Sequence, residues 1–308
     1  MIEVEDVSMK VLATTDGSEP SVAALRHLKR ILDPGSSQVY LVSVTDTSFL
    51  FHNYDYLYPD QLQLDEFTAT SRQHVVDGRV ILEAEGFSVK ELTGSGFPAE
   101  GILQAARSRD VDLIEVGAHG YTGFTRFLLG SVSAKVLESA DRSVVIMRPP
   151  ASAGATDVVR ILAATDGSPS AENALELLGT LLPARRCEVL LLTVQPPVPW
   201  IPTPLFPGGH QLQEERLAEA IAATHEEFLS RGSRILSGQG FAVKTLAVSG
   251  DPADLIVKTA GEQRPDLVVV GSHGRSGIGR FVLGSVSARV IQHCEGSVLV
   301  ARKKPGAA

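Results

Sequence analysis

Two glycine-rich stretches with the same spacing occur in this 308-residue chain. In each, two glycines separated by two residues are followed, after nine more residues, by a Gly-Ser pair. The copies consist of Gly117, Gly120, Gly130 and Ser131, and of Gly271, Gly274, Gly284 and Ser285. Each copy follows a short apolar run and precedes a helical pattern. Unshielded backbone amides beside a helix N-terminus suit an anion, and a nucleotide phosphate is the first candidate.

An Asp-Gly-Ser sequence also occurs twice, at Asp16 and at Asp166, and each follows an apolar run. A carboxylate does not attract phosphate; its targets are hydrogen-bond donors such as an adenine amino group or a ribose hydroxyl. A carboxylate at one end of a site and backbone amides at the other describe a pocket for a nucleoside phosphate.

We call each glycine-rich stretch with its Gly-Ser pair a glycine frame. The residue types in the frame predict what each position does. We expect Gly117, Gly120 and Gly130 to take positive φ or to let the backbone approach phosphate oxygens closely. Ser131 stands where the helix N-cap is expected, so its hydroxyl could either cap the helix or bond a phosphate. Glycines at such turns often serve only the turn itself. Two frames of identical spacing, each with its own Asp-Gly-Ser, favour a binding site over that alternative.

The chain is an internal repeat. Lys10–Ser18 recurs as Arg160–Ser168, and Gly94–Glu100 recurs as Val248–Asp254, with a small length difference between residues near 45 and 75. Self-similarity over this length indicates a duplicated unit. We predict two domains, at residues 1–150 and 157–304, each long enough to bury its own core.

Composition narrows the functional classes. The net charge is −8, and residues 1–150 carry the whole acidic excess, with 21 Asp and Glu against 13 Lys and Arg. A chain without a basic stripe is not expected to bind nucleic acid. No stretch approaches a membrane span, and the first residues resemble no signal peptide, so we expect a cytoplasmic protein that does not enter a membrane. Two cysteines without counterparts in the first half, Cys187 and Cys294, are interpreted as buried free thiols.

Short runs rich in Val, Ile and Leu alternate with amphipathic stretches. The predicted strands are 11–14, 39–44, 89–92, 113–116 and 144–147, and then 161–164, 189–194, 243–248, 267–270 and 298–301. Predicted helices in the first half are 21–32, 64–85, 98–108 and 131–139. Nearly continuous apolar runs are typical of parallel strands covered on both faces. The fold class is therefore α/β, with two repeated Rossmann-like doubly wound domains, each a five-stranded, mainly parallel sheet with helices on both faces.

Ligands of such sheets bind beyond the carboxyl ends of the strands, where the strand order reverses. Asp16 follows the first strand and Gly117 ends the fourth. If those two strands are neighbours, the two motifs face one crevice.

These motifs resemble the universal stress protein family, in both halves and over almost the whole chain. The frame and the Asp after the first strand match the family's ATP-binding subgroup, so the resemblance implies ATP as cofactor, with any Mg²⁺ arriving on the triphosphate. It also implies a backbone contact to adenine from Val44 and Val194. The implied nucleotide-binding residues are Thr15, Asp16, Val44, Gly117, Gly120, Gly130, Ser131 and Ser133, and Thr165, Asp166, Val194, Gly271, Gly274, Gly284, Ser285 and Ser287.

In this family's strand order the last strand of each half lies at a sheet edge, where unpaired backbone groups invite pairing. We expect residues 144–147 and 298–301 to pair within the chain, as the subunits of a homodimer would. A dimer of chains would then use other surfaces.

Two residues depart from the family pattern. Glu115 lies in an otherwise apolar strand where the second half has Val269, and Ala118 replaces the serine found at Ser272. A buried carboxylate requires a partner or takes up a proton. We expect a local partner such as an arginine; the alternative is a first site altered for binding or signalling. The second site is the more conventional of the two.

The sequence favours a binding module over an enzyme. His119 and His273 fall within the frames, but no nucleophile or carboxylate stands at a spacing that indicates a triad, so loop geometry is their expected role. No acidic cluster indicates a dedicated metal site. The hypothesis is a nucleotide-dependent stress-response or signalling protein. Open alternatives are slow ATP hydrolysis or autophosphorylation, and an interaction scaffold whose pockets are vestigial or hold cyclic AMP.

Overall fold

A computed structural model describes residues 9–47, 61–119, 129–149, 157–195, 209–274 and 283–306. Strands and helices alternate in both halves. The first half contains β1 (Met9–Thr14), α1 (Glu19–Ile31), β2 (Ser37–Asp46), α2 (Gln61–Ala84), β3 (Ser88–Gly96), α3 (Pro98–Ser108), β4 (Leu113–Gly117), α4 (Ser131–Ser139) and β5 (Ser143–Met147). The second contains β6 (Val159–Ala164), α5 (Pro169–Leu181), β7 (Cys187–Gln195), α6 (Gly209–Gly238), β8 (Ala242–Ser249), α7 (Pro252–Gln263), β9 (Leu267–Gly271), α8 (Ser285–His293) and β10 (Ser297–Ala301).

Local sequence explains how the helices after the first strand of each half begin. The Ser18 hydroxyl accepts the Ser21 amide at 3.3 Å, and the Ser168 hydroxyl accepts the Ala171 amide at 3.2 Å. Proline lies in the first turn of both helices, where its fixed φ is favourable and its missing amide costs nothing. The helix therefore starts immediately after the Asp-Gly-Ser turn, which it holds at the strand end.

The ten strands form one sheet in the order β3-β2-β1-β4-β5-β10-β9-β6-β7-β8. All pairs are parallel except β5 with β10, which run antiparallel with Val145 opposite Leu299. The predicted doubly wound α/β fold is confirmed. The expected pairing of the last strands within the chain is also confirmed, and it places the two halves about a local pseudo-two-fold.

Apolar side chains fill both faces of the sheet. One buried cluster joins Leu25 and Leu28 of α1 to Leu113 of β4, and includes α2, α5 and α6. The other packs α3, α4, α7 and α8 against the opposite face, around residues such as Ile114 and Val268. Because the central strands are covered on both sides, polar groups that bind a ligand are expected at the strand ends.

Polar contacts also join the halves. Asp266, immediately before β9, accepts two hydrogen bonds from Arg30 of α1, at 3.0 and 3.2 Å. Arg302, immediately after β10, crosses to the first half and donates to the carbonyls of Leu137 and Ala140 at 2.7 and 2.8 Å. These bonds cap the C-terminal end of α4 and fix it to the other half of the chain.

Candidate nucleotide-binding site

The reversal of strand order on which the predicted crevice depends is present in both halves. β1 lies between β2 and β4, so the strand order reverses between β1 and β4, and β6 lies between β7 and β9 in the same way. The carboxyl ends of β1 and β4 carry Asp16 and Gly117; those of β6 and β9 carry Asp166 and Gly271. Each half therefore brings both sequence motifs to one switch point.

The Asp-Gly-Ser turns are locked by their own side chains. Asp16 Oδ1 accepts the amide of Ser18 at 3.0 Å and its hydroxyl at 2.6 Å, and Asp166 Oδ1 accepts the Ser168 amide at 3.0 Å. Between them, Gly17 has φ +76° and Gly167 has φ +73°. A side chain at either glycine would be strained, so glycine is required for this turn.

The residues packed beneath the two turns differ. A Cβ added to Gly17 would meet the His74 imidazole at 2.3 Å, whereas one added to Gly167 would meet the Phe228 ring at 2.2 Å. The sequence gives no signal for either contact, because both partners come from the long helix after the second strand.

Thr15 and Thr165 connect the turns to the neighbouring strand. Their hydroxyls accept the amides of Gly17 and Gly167 at 3.2 Å in both halves, and their own amides donate to the carbonyls of residues 42 and 192. Val44 and Val194, whose backbone is implied in adenine recognition, are half-buried and lie two residues further along β2 and β7. The residues predicted to contact the nucleoside are thus close together in each half.

The glycine frame closes onto the strand end through its own backbone. The amide of Gly130 donates to the Ala118 carbonyl at 2.8 Å, and that of Gly284 donates to the Ser272 carbonyl at 2.7 Å. Gly130 and Gly284 are the N-caps of α4 and α8. The prediction that Ser131 is the N-cap is wrong, because the preceding residue, Gly130, takes that position.

The serines that follow have different surroundings. Ser131 and Ser285 are the first helical residues and are exposed at the crevice end of the helix. Ser133 and Ser287 are buried, and their hydroxyls donate to the carbonyls of Gly117 and Gly271 at 2.6 and 2.7 Å. These bonds fix the helix N-terminus over the strand end. The amides of its first turn have no acceptor within the helix and suit an anion.

Positive φ is not why the frame needs glycine. Among the described residues, positive φ occurs at seven glycines, and none belongs to the frame. Neither Gly117 nor Gly130 uses the positive φ that glycine permits, and Gly120 lies outside the described residues. Close approach is the reason in the second half, where a Cβ on Gly271 would lie 2.8–2.9 Å from Ser170 and from the Ala171 amide nitrogen. A Cβ on Gly284 would lie 3.2 Å from the Cα of His273.

The second site contains a hydrogen-bonded chain that sequence reasoning missed. Ser170 Oγ lies 3.2 Å from Ser272 Oγ and accepts the Ser272 amide at 2.9 Å, while Ser272 Oγ lies 2.9 Å from His273 Nδ1. The chain joins the N-terminus of α5 to the end of β9. Pro20 and Ala118 take the serine positions in the first half, so this link is specific to the second.

Gly274 brings the two motifs of the second half into contact. A Cβ built on it would lie 2.8 Å from Asp166 Oδ2, so only a glycine lets the carboxylate rest against the frame. In the first half the corresponding Gly120 lies outside the described residues.

Glu115 lies in β4, two residues before Gly117, and is wholly buried. Its Oε2 accepts the Thr14 amide at 3.1 Å, and its Oε1 has no hydrogen-bond partner among the described residues. The expected arginine partner is wrong: no ion pair to Glu115 forms in the described part of the chain. Burial raises the pKa of this carboxyl to about 8, against a smaller opposing effect of the Thr14 amide.

Within the described ranges, no three His, Cys, Asp or Glu side chains come together as a potential metal site. None of the described helices has the length and apolar character needed to cross a bilayer.

Cys187 and Cys294 are buried free thiols, as interpreted from the sequence, and burial raises the pKa of each to about 11.

The family model described as the universal stress protein family matches the chain twice, over residues 8–148 and 159–302. The α/β fold with its repeated crevice thus defines a tandem protein of this class. The chain belongs to the universal stress protein family.

Individual relatives agree with this assignment. A universal stress protein of Mycolicibacterium smegmatis is 29% identical over 225 residues, covering 72% of this chain and 71% of the relative. One from Methanocaldococcus jannaschii is 28% identical over 153 residues, which are 45% of this chain and 94% of the relative. Among solved structures, a universal stress protein of Archaeoglobus fulgidus superposes with a TM-score of 0.65 at 22% identity, covering 97% and 98% of the two chains. That similarity supports the fold.

Proposed function

We propose that this protein is a nucleotide-dependent stress-response module that binds ATP at the two switch-point crevices. The observation that carries the proposal is the contact between Asp166 and Gly274. Two motifs separated by more than one hundred residues meet there, at 2.8 Å from carboxylate oxygen to the position of a glycine Cβ. A carboxylate for the nucleoside and a helix N-terminus for the phosphates therefore border one space.

Each group has a defined role in this proposal. The first-turn amides of α8, at residues 285–287, face the phosphates, helped by the positive end of the helix dipole. Asp166 accepts from a ribose hydroxyl or the adenine amino group. The backbone of Val194 borders the base. Mg²⁺ would arrive on the triphosphate and keep most of its waters, since the described residues offer it no carboxylate cluster.

We expect the second site to bind more tightly than the first. The Ser170–Ser272 link holds the end of β9 against α5 before any ligand arrives, so less ordering is needed on binding. The first half has Pro20 and Ala118 at these positions and the buried Glu115 beneath its turn.

Slow hydrolysis of the bound nucleotide is the second candidate function. The observation that favours it is the 2.9 Å separation of Ser272 Oγ and His273 Nδ1, within hydrogen-bond reach for a base and a hydroxyl. Only 3% of Ser272 is exposed, which argues for slow turnover. Phosphate release that is the same in the wild type and in Ser272→Ala would remove this candidate.

Calorimetric titration with ATP tests the proposal on the full chain. We expect saturable binding, with the tighter site lost in Asp166→Ala and retained in Asp77→Ala, an exposed aspartate on α2 of the other half. ADP, AMP, cyclic AMP and GTP, added as competitors, rank the nucleotides. Absence of any binding heat in the wild type, with no nucleotide released on denaturation, would overturn the proposal.

A further inference from the structure

Glu115 has no counterpart in the second half, where Val269 occupies its position. Side chains alternate along β4, so Glu115 shares the sheet face of Leu113, which belongs to the buried cluster containing Leu25 and Leu28 of α1. None of its surface is exposed. A carboxyl in this environment requires either a hydrogen-bond partner or a proton.

The Glu115 carboxyl takes the place of one backbone pairing between β1 and β4. β6 and β9 form three registered pairs, ending with Ala163 opposite Val269. β1 and β4 form only two and stop before the pair that would join Ala13 to Glu115. In its place the Thr14 amide donates to Glu115 Oε2 at 3.1 Å. The last residue of β1 is therefore held on its β4 side by a side chain, while on its other side it stays paired with Val42 of β2.

Thr14 directly precedes Thr15 and Asp16, the adenine-side residues of the first crevice. A change in the Glu115 carboxyl is transmitted to them along one residue of backbone. Glu115 Oε1, buried and without a partner among the described residues, has nothing to compensate a negative charge.

We propose that Glu115 is a proton-sensitive positioning residue: its neutral form holds the Thr14–Asp16 segment in the binding geometry of the first crevice, and its ionised form displaces that segment. The second crevice, with Val269, has no such control. Where it concerns ligand affinity, this inference rests on the proposed nucleotide binding.

The neighbouring elements offer no compensating charge. The described charged or titratable groups on the elements packed around Glu115 are Lys10 and Asp16 at the ends of β1, Asp112 before β4, Glu19, Arg26, His27, Lys29 and Arg30 on α1, Arg72, His74, Asp77, Arg79 and Glu83 on α2, and Arg142 and Arg148 flanking β5. None of them shifts the Glu115 pKa, which burial alone raises to about 8 and the Thr14 amide lowers slightly. The titration therefore falls at mildly alkaline pH.

The first test uses the ligand-free chain. Amide chemical shifts of residues 14–18 are followed by NMR from neutral to alkaline pH, with residues 164–168 as the internal control. We expect the first segment to titrate with a midpoint of about 8 in the wild type and not in Glu115→Gln, which keeps the shape and a hydrogen-bond acceptor. The inference would be overturned if the amide shifts of residues 14–18 did not change with pH, or if they titrated equally in Glu115→Gln.

The second test measures ATP affinity in Asp166→Ala, which leaves the first crevice as the site observed. One pH unit above the midpoint, about a tenth of the protein keeps the neutral carboxyl, so we expect about tenfold weaker binding. Adding Glu115→Gln should abolish this pH dependence, and Val269→Glu in an otherwise wild-type chain should introduce it in the second crevice. Binding that has the same pH profile with and without Glu115→Gln contradicts the inference. A chain that binds no ATP contradicts the proposed function instead, while the ligand-free shifts still decide the role of Glu115.

Discussion

The Asp166 carboxylate lies against the backbone of Gly274, with Oδ2 only 2.8 Å from where a Cβ on the glycine would be. The other carboxylate oxygen, Oδ1, accepts the Ser168 amide at 3.0 Å, so the side chain cannot swing away without losing that bond. A methyl group at position 274 would therefore push the Asp166 carboxylate away from the glycine frame.

Gly274→Ala is expected to weaken ATP binding at the second site about tenfold, which corresponds to about 1.4 kcal/mol. The new methyl pushes the Asp166 carboxylate out of position, but the atom it meets is the end of a side chain, so the fold is retained. Calorimetric titration gives the affinity and urea unfolding gives the stability. Gly261→Ala is the control, because a Cβ at that helical glycine meets nothing within 4 Å. Equal affinities for the two variants would contradict the assigned role of Gly274.

The corresponding glycines Gly117 and Gly271 are expected to respond differently to alanine. A Cβ on Gly271 would lie 2.8–2.9 Å from Ser170 and the Ala171 amide nitrogen, both on a helix that cannot shift freely, whereas one on Gly117 would lie 3.5 Å from its nearest neighbour. Overpacking typically costs 1–3 kcal/mol, so Gly271→Ala should lower the free energy of unfolding by about that amount. Gly117→Ala should change it by less than about 0.5 kcal/mol.

Urea denaturation of the two single variants and of the double variant checks this asymmetry. The sites are in different halves, and their effects should add. A larger loss of stability in Gly117→Ala than in Gly271→Ala would show that the packing around the first frame is tighter than the structure indicates.

Sequence patterns predicted the elements well where apolar periodicity defines them. The helices at 98–108 and 131–139 have the predicted bounds, because proline and the Gly-Ser pair mark their starts. Strands extend beyond their apolar runs: β2 continues from Ser37 to Asp46, although only 39–44 was predicted. Pairing with β1 begins at Ser37 and pairing with β3 continues to Asp46, so both extend beyond the apolar run from which the strand is predicted.

The sequence predicted where the two motifs lie, but not the hydrogen bonds they make. The Asp-Gly-Ser turns and glycine frames do meet at the switch points, because parallel strands align their carboxyl ends. The Ser170–Ser272 bond joins residues 102 apart through non-repeated positions, so no spacing rule reveals it. Tertiary packing likewise determines that Glu115 bonds the Thr14 amide and not an arginine.

The pH dependence of stability provides a further prediction. The Glu115 pKa rises from 4.5 to about 8 on folding, so the native state binds this proton more tightly than the unfolded state. Its contribution is fully present below pH 4.5 and is lost as the pH rises to about 8, by at most about 1.4 kcal/mol per unit. Glu115→Gln should therefore flatten the decline of unfolding free energy over that interval and be the more stable protein at its alkaline end.

Urea unfolding at several pH values measures this effect, with Glu226→Gln as the control because Glu226 is exposed on α6. The control should follow the wild-type profile. If Glu115→Gln also follows it, the carboxyl is already ionised in the native state at neutral pH, and the proton-sensitive role fails with it.

Arg302 allows a test of how the two halves are held together. Only 6% of Arg302 is exposed, and its guanidinium donates to the carbonyls of Leu137 and Ala140 at the end of α4. Arg302→Ala leaves both buried acceptors without this partner, and a buried unsatisfied acceptor costs about 1–3 kcal/mol. The neighbouring Lys303 is exposed, so Lys303→Ala removes a cation at nearly the same place without touching α4. We expect a lower free energy of unfolding in the first variant alone; equal losses in both would mean that net charge, rather than the cap on α4, accounts for the effect.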